Sequence, residues 1–151
     1  MGANKNNINY ILESSPVALG LRKITQTVKI GDFTDGGGAA GTLTLQDSLP
    51  EGAFVIGTKA TVKTAFIGNT SAVLVLGKTS GEDQFTNGSS LNLFVADVVG
   101  SKAETFGEYL AAATPVYARL TSASDFGLIT AGEVVIEIFY FSTVQELINN
   151  S

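Results

Sequence analysis

The chain has 151 residues, the size of one ordinary domain, and can bury about 70% of its unfolded surface without covalent staples. It carries no cysteine and no histidine, and its net charge is −5. These facts exclude disulfides, thiolate catalysis and Cys-based zinc sites, and remove the commonest general base and metal ligand. Hydrophobic residues make up 44% and charged residues only 15%. A domain with so few charges has little polar surface, which points to an oligomer or assembly that covers some apolar area. Lys and Arg are sparse and scattered along the sequence, so neither nucleic acid nor an anionic membrane is an expected partner.

Residues 1–20 are polar and irregular, except for an apolar patch at Ile8, Tyr10, Ile11 and Leu12. The stretch from Met1 to Tyr10 is Asn-rich and lacks the apolar core of a secretory signal, so synthesis in a cytosol without an export signal is expected. No run reaches the ~18 apolar residues of a membrane span. The patch reads either as part of a frayed terminus or as an arm that docks on a neighbouring subunit. In the second reading, Ile8, Tyr10, Ile11 and Leu12 are the partner interface.

Regular structure is expected from Leu21 onward. Ile24, Val28 and Ile30 share one face, and Thr25, Thr27 and Lys29 the other, the alternation of a half-buried strand. A glycine loop from Gly31 to Gly38 interrupts it. Thr42 to Gln46 alternates again with Leu43 and Leu45 inward, and Pro50 marks the next turn. Lys59 to Phe66, a turn at Gly68-Asn69-Thr70-Ser71, and the apolar run Ala72 to Leu76 predict a hairpin whose second strand is buried on both faces. A polar loop from Lys78 to Ser90 contains the tight-turn pair Asn87-Gly88. Leu91 to Val95 predicts a short strand.

Thr105-Phe106-Gly107-Glu108 has capping-box spacing, and Tyr109 to Ala113 is rich in helix formers, so one or two helical turns are expected before Pro115. Val116, Ala118 and Leu120 alternate with Tyr117, Arg119 and Thr121. After a loop from Ser122 to Gly132, Glu133 to Phe141 is the strongest strand signal. Within it, Phe139, Tyr140 and Phe141 read as core or interface. Thr143 to Glu146 repeats the capping-box spacing and predicts a short C-terminal helix.

About seven to nine short strands without a fixed repeat predict an all-β fold: one antiparallel β-sandwich or jelly-roll domain over residues 21–151. It carries an extended N-terminal arm, residues 1–20, and at most short helical turns.

Chemical sites have little support. The glycine loop lacks the Lys-Ser/Thr ending and the helix that a phosphate-binding loop needs, and reads as a turn. Asp32, Asp35, Glu82, Asp83 and Asp125 lie in loops where calcium would find carboxylates, but their spacing fits no EF-hand and Asp commonly caps turns. No serine sits in Gly-x-Ser-x-Gly, and no histidine exists to activate one. Glu133 and Glu137 would share a strand face about 13 Å apart, too far for a glycosidase pair. Sugar platforms favour Trp, which is absent. No catalytic, cofactor-binding or metal-binding residue is assigned.

The stretch Val62-Lys63-Thr64-Ala65-Phe66, the Gly68–Ser71 turn and the apolar run Ala72–Gly77 resemble small virion proteins of tailed bacteriophages. Asp83-Gln84-Phe85, Thr114-Pro115-Val116-Tyr117 and the closing Ala131–Ile136 segment are similar too. The resemblance spans about residues 24–141. It implies a capsid decoration or cement protein, or the base of a head fibre, that stabilises the assembled major capsid protein from the outer surface of the virion. It also implies a β-sandwich or jelly roll that is commonly trimeric, and no catalytic residues. The alternative is an adhesion module on a fibre or tail that binds carbohydrate, and a hydrolase with an unusual dyad is the weakest reading.

Overall fold

The computed structural model describes residues 20–88 and 91–142. The Ile8–Leu12 patch and the Thr143–Glu146 spacing lie outside the described residues. Among the described residues ten strands run in chain order: β1 (Leu21–Lys29), β2 (Thr34–Asp35), β3 (Ala40–Thr44), β4 (Phe54–Ile67), β5 (Ala72–Gly77), β6 (Leu91–Asn92), β7 (Val98–Lys102), β8 (Glu108–Tyr109), β9 (Tyr117–Ser122) and β10 (Ala131–Phe141). Two single turns of 3-10 helix, Ile30–Asp32 and Phe126–Leu128, are the helical elements among the described residues.

The strands form two antiparallel sheets. The first has the order β1-β10-β4-β7, with β8 added beside β7 on the edge of β4. The second has the order β2-β3-β9-β5-β6. Their facing sides supply one continuous core, in which Val28, Val62, Phe66, Ile136 and Ile138 from the first sheet meet Leu74, Leu76, Ala118 and Leu120 from the second. The fold is therefore the expected all-β sandwich. Chain ends and middle interleave: β1 pairs with β10 along its whole length, Leu21 opposite Phe141 and Lys29 opposite Glu133.

Local pattern became structure where a strand buries one face. In β1, Val28 is buried and Ile24 half-buried, while Lys23, Thr25, Thr27 and Lys29 are exposed. In β5, Leu74 and Leu76 are fully buried and Val75 is nearly so. Val75 lies opposite Arg119 of β9. The Lys78–Ser90 loop is anchored by the fully buried Phe85. Its N–H donates to the Leu76 carbonyl at 2.9 Å, and Asn87 takes the positive φ of 50° that the Asn-Gly pair predicts.

Two expectations fail. The Lys59–Leu76 segment is not a hairpin, because β4 and β5 belong to different sheets. Gly68–Ser71 carries the chain across the sandwich. Gly68 holds φ +114°, and a Cβ there would stand 2.1 Å from the Leu128 carbonyl oxygen, so this crossing needs glycine. Phe66 and Leu74 each face the core, but from opposite sheets. Alternation fixes which face a strand buries, not which strand it pairs with.

The second failure is Tyr109–Ala113, which is not helical. The Thr105–Glu108 spacing forms a turn with Gly107 at φ +74°, and Glu108–Tyr109 pairs with Val55 and Phe54 at the start of β4. The Leu110 N–H donates to the Ala53 carbonyl at 2.9 Å, and the Leu110 side chain is buried. An open strand edge and a core position outweigh the modest helix propensity of these residues.

Candidate functional site

Side chains alternate across a sheet, so the first sheet has one face in the core and one face outside. The outer face falls into two zones. At the end where β1 begins, the register sets Leu21 opposite Phe141, Phe141 opposite Phe54, and Phe54 opposite Tyr109. One apolar row thus crosses four strands. Leu21, Phe54 and Tyr109 are 53%, 41% and 54% exposed, which makes this an open patch and not a covered one. The rings of Phe54 and Tyr109 lie 5.0 Å apart in a tilted contact. Phe106, in the turn before β8, is more exposed still.

Beside this row runs a groove of about 360 Å³ lined by Leu21, Ile56, Gly57, Lys59, Lys102 and Phe139. Gly57 lies opposite Phe139 on one side and Lys102 on the other, and its bare Cα lets the β7 backbone approach closely. The register shift between Phe139 and Tyr140 comes from an extra residue on β4, Ile56, and β10 keeps its own alternation through it. The Phe139–Phe141 triplet therefore divides, with Tyr140 in the core and its neighbours half-buried on the outer face.

The second zone is charged. Lys23, Lys29, Lys59 and Lys102 occupy outer-face register positions, and Lys63 is exposed at the β4 bulge beside them. Five of the nine basic residues of the chain gather here. Only Glu133 and Glu137 share the face, whereas most other carboxylates among the described residues lie in the connections between strands. Sequence order hid this clustering, because lysines spread over three strands look scattered until the register is known.

Glu137 is the hub of this zone. It is 8% exposed and is held by Lys23 Nζ at 2.5 Å and Lys59 Nζ at 3.1 Å. Lys29 Nζ lies 3.6 Å from Glu133. The hydrogen bonds from Lys23 and Lys59 hold the Glu137 carboxyl below its ordinary value of 4.5, against the opposing effect of burial. A lowered folded-state pKa adds stability above the unfolded value, and that stability is lost as pH falls through the folded value. Glu137→Gln is therefore expected to cost about 1 kcal/mol above pH 4.5, the half-exposed lysines keeping the figure small. Urea unfolding of both proteins across acid pH should show the two stabilities converging below that point. A gap that stays constant with pH would refute the ion-pair account.

The sequence-proposed cation ligands do not form a site. Asp32 accepts the Lys29 N–H at 2.7 Å, Asp35 the Gly37 N–H at 2.8 Å and Asp125 the Gly127 N–H at 2.9 Å. Glu82 accepts from the Gln84 amide at 2.7 Å. Each stabilises its own turn. Among the described residues, no three His, Cys, Asp or Glu side chains gather to hold a metal ion. Glu133 and Glu137 do share a face, but each is matched by lysine.

No protein-family model matches the chain, and no curated protein matches it. Solved structures do resemble it. A chain of the cyanophage Pam1 capsid asymmetric unit is 14% identical with a TM-score of 0.50, over 82% of this chain and 85% of that one. A chain of the acidic stable capsid of Helicobacter pylori bacteriophage KHP30 is 16% identical with a TM-score of 0.44, over 78% and 93%. A family two carbohydrate esterase from Cellvibrio japonicus is 13% identical with a TM-score of 0.26, over 82% and 35%. Only the first score is high enough to speak to the fold.

Proposed function

We propose that this protein is a structural component of a tailed-bacteriophage virion, a decoration or cement protein that seats on the outside of the assembled major-capsid lattice. The observation that carries this reading is the whole-domain likeness to a chain of the Pam1 capsid asymmetric unit, which covers most of both chains. The strand order supports it. The arrangement of β1-β10-β4-β7 on one side and β3-β9-β5-β6 on the other supports a reading as the double-sheet jelly roll used by viral capsid domains. The protein would act by contact area and not by bond-making. Each copy, as part of a homotrimer, would add its binding free energy to the cost of separating the capsid subunits beneath it.

The lysine-bearing zone suits an acidic partner surface on the shell, since complementary charge sets orientation and encounter rate. The double variant Lys63→Glu, Lys102→Glu changes two lysines for which no ion pair is described and leaves the Glu137 hub intact. It should reduce occupancy on purified empty shells about tenfold or more at low salt, and rising salt should narrow the difference. Quantitative gel densitometry after co-sedimentation reads this. Failure of the wild-type protein to co-sediment with shells would end the capsid reading. Equal occupancy of variant and wild type would remove this face from the contact.

A further inference from the structure

We infer that the aromatic end of the outer face is the seat of the chain's own N-terminal segment, with Ile8, Tyr10, Ile11 and Leu12 covering Leu21, Phe54, Tyr109, Phe139 and Phe141. The inference stands on the domain's surface and tether, and holds whether or not the protein binds a shell.

Position is the first argument. Leu21 opens β1 and is itself part of the patch, so the chain leading into β1 arrives at the patch. The junction is fixed: the Gly20 carbonyl accepts the Ser142 N–H at 2.8 Å and the Ser142 hydroxyl at 3.2 Å, beside Phe141.

Reach is the second. Seven residues lie between Leu12 and Gly20, and the connection spans up to about 28 Å when extended. Crossing from β1 to β8 takes three strand spacings, about 15 Å. The surplus allows the chain to reverse, and Ser14-Ser15-Pro16 is a turn signal in the right place.

Composition is the third. The segment is the main apolar run upstream of β1, and in extended form Ile8, Tyr10 and Leu12 fall on one side. The patch offers rings at its surface and a groove of about 360 Å³ beside them. A tethered segment sees its seat at an effective concentration in the millimolar range, so it outcompetes the same segment from a second copy at ordinary protein concentrations. The apolar area would thus be closed within the molecule, and the lysine zone would be left as the exposed part of the face.

The chain has no cysteine, so introduced pairs report without interference. Full-length protein carrying Leu12→Cys with Tyr109→Cys is oxidised mildly and mapped by peptide mass. Two pairs serve as comparisons. Leu12→Cys with Ser124→Cys targets the far end of the sandwich, where Ser124 meets Asn69 just beyond the end of β4. Leu147→Cys with Tyr109→Cys targets the C-terminal segment, which leaves from the same corner. The expected result is an intramolecular disulfide in the first pair. It should form at a rate independent of protein concentration and at least about tenfold faster than in either comparison pair. A rate no faster than the Ser124 pair overturns the inference. So does a link between chains whose rate rises with concentration, or a faster link from Leu147. Hydrogen exchange gives a readout free of cysteine: amides 8–12 should be protected in the wild type and lose protection in Phe54→Ser. Unprotected wild-type amides would also overturn it.

Discussion

Phe66→Ala should lower the unfolding free energy by about 3–5 kcal/mol, a large share of the 5–15 kcal/mol typical of a domain. Phe66 is fully buried near the end of β4. Its backbone N–H donates to the Leu93 carbonyl at 2.9 Å, which fixes the strand in place. The ring lies directly on Gly132 of β10, where an added Cβ would come within 2.3 Å of Cγ. One wall of the ring's site is thus backbone, which cannot relax into the space the ring would leave. The cost should fall toward the upper part of the range for that reason. Gly132→Ala tests the same contact from the other side and should cost about 1–3 kcal/mol by overpacking. Phe66→Leu in the Gly132→Ala background should then be less damaging than Phe66→Leu alone, because the smaller side chain relieves the clash. Urea denaturation of the wild type and the four variants measures all the terms. A loss below about 1 kcal/mol for Phe66→Ala would show that the core closes around the gap.

The longer strands were legible in sequence because their signals are local, whereas β2, β7 and β8 were not read as strands. Ile24 to Ile30 and Glu133 to Phe141 show their buried faces through alternation, and both became long strands of the first sheet. Partnership was not legible. Leu21 pairs with Phe141 across nearly the whole chain, and nothing near Leu21 encodes that. The Gly68–Ser71 turn misled for the same reason. A glycine turn between two apolar strands reads alike whether the second strand folds back beside the first or crosses to the opposite sheet. Tyr109–Ala113 misled differently, since a weak helix preference gave way to the open edge of β4 and a core site for Leu110.

The candidate surface depends on register and so was hidden further. Phe54, Tyr109 and Leu21 are far apart in sequence, and only pairing sets them in one row. The lysines behave likewise: Lys23 and Lys59 converge because β10 lies between their strands and presents Glu137 to both. The aromatic triplet at Phe139–Phe141 was the part that could be read, as its alternation already separates a core ring from two outer ones.

Gly57→Val should strip β7 from the sheet while the β1–β10 pairing survives. A Cβ at Gly57 would lie 2.4 Å from the Ser101 carbonyl oxygen and 2.8 Å from Lys102 Cα. Both are backbone atoms of the neighbouring strand, so no change of rotamer clears them. Relief requires β7 to move away. That movement breaks the bond from Ala103 N–H to the Ile56 carbonyl at 2.8 Å and withdraws Ala103 from the core. It also disturbs the polar links that tie this edge to the Phe85 loop, where Ser101 Oγ donates to the Thr86 carbonyl at 2.5 Å and Thr58 Oγ1 to the Phe85 carbonyl at 3.0 Å. A loss of about 3 kcal/mol or more is expected. Hydrogen exchange should show residues 98–110 opening while 21–29 stay protected. Gly100→Ala is the matched control, for its Cβ would meet only the Thr58 carbonyl oxygen at an ordinary 3.7 Å. That change should be near neutral, or stabilising by a few tenths of a kcal/mol through reduced freedom of the unfolded chain. If the two glycine variants behave alike, close approach is not what Gly57 provides.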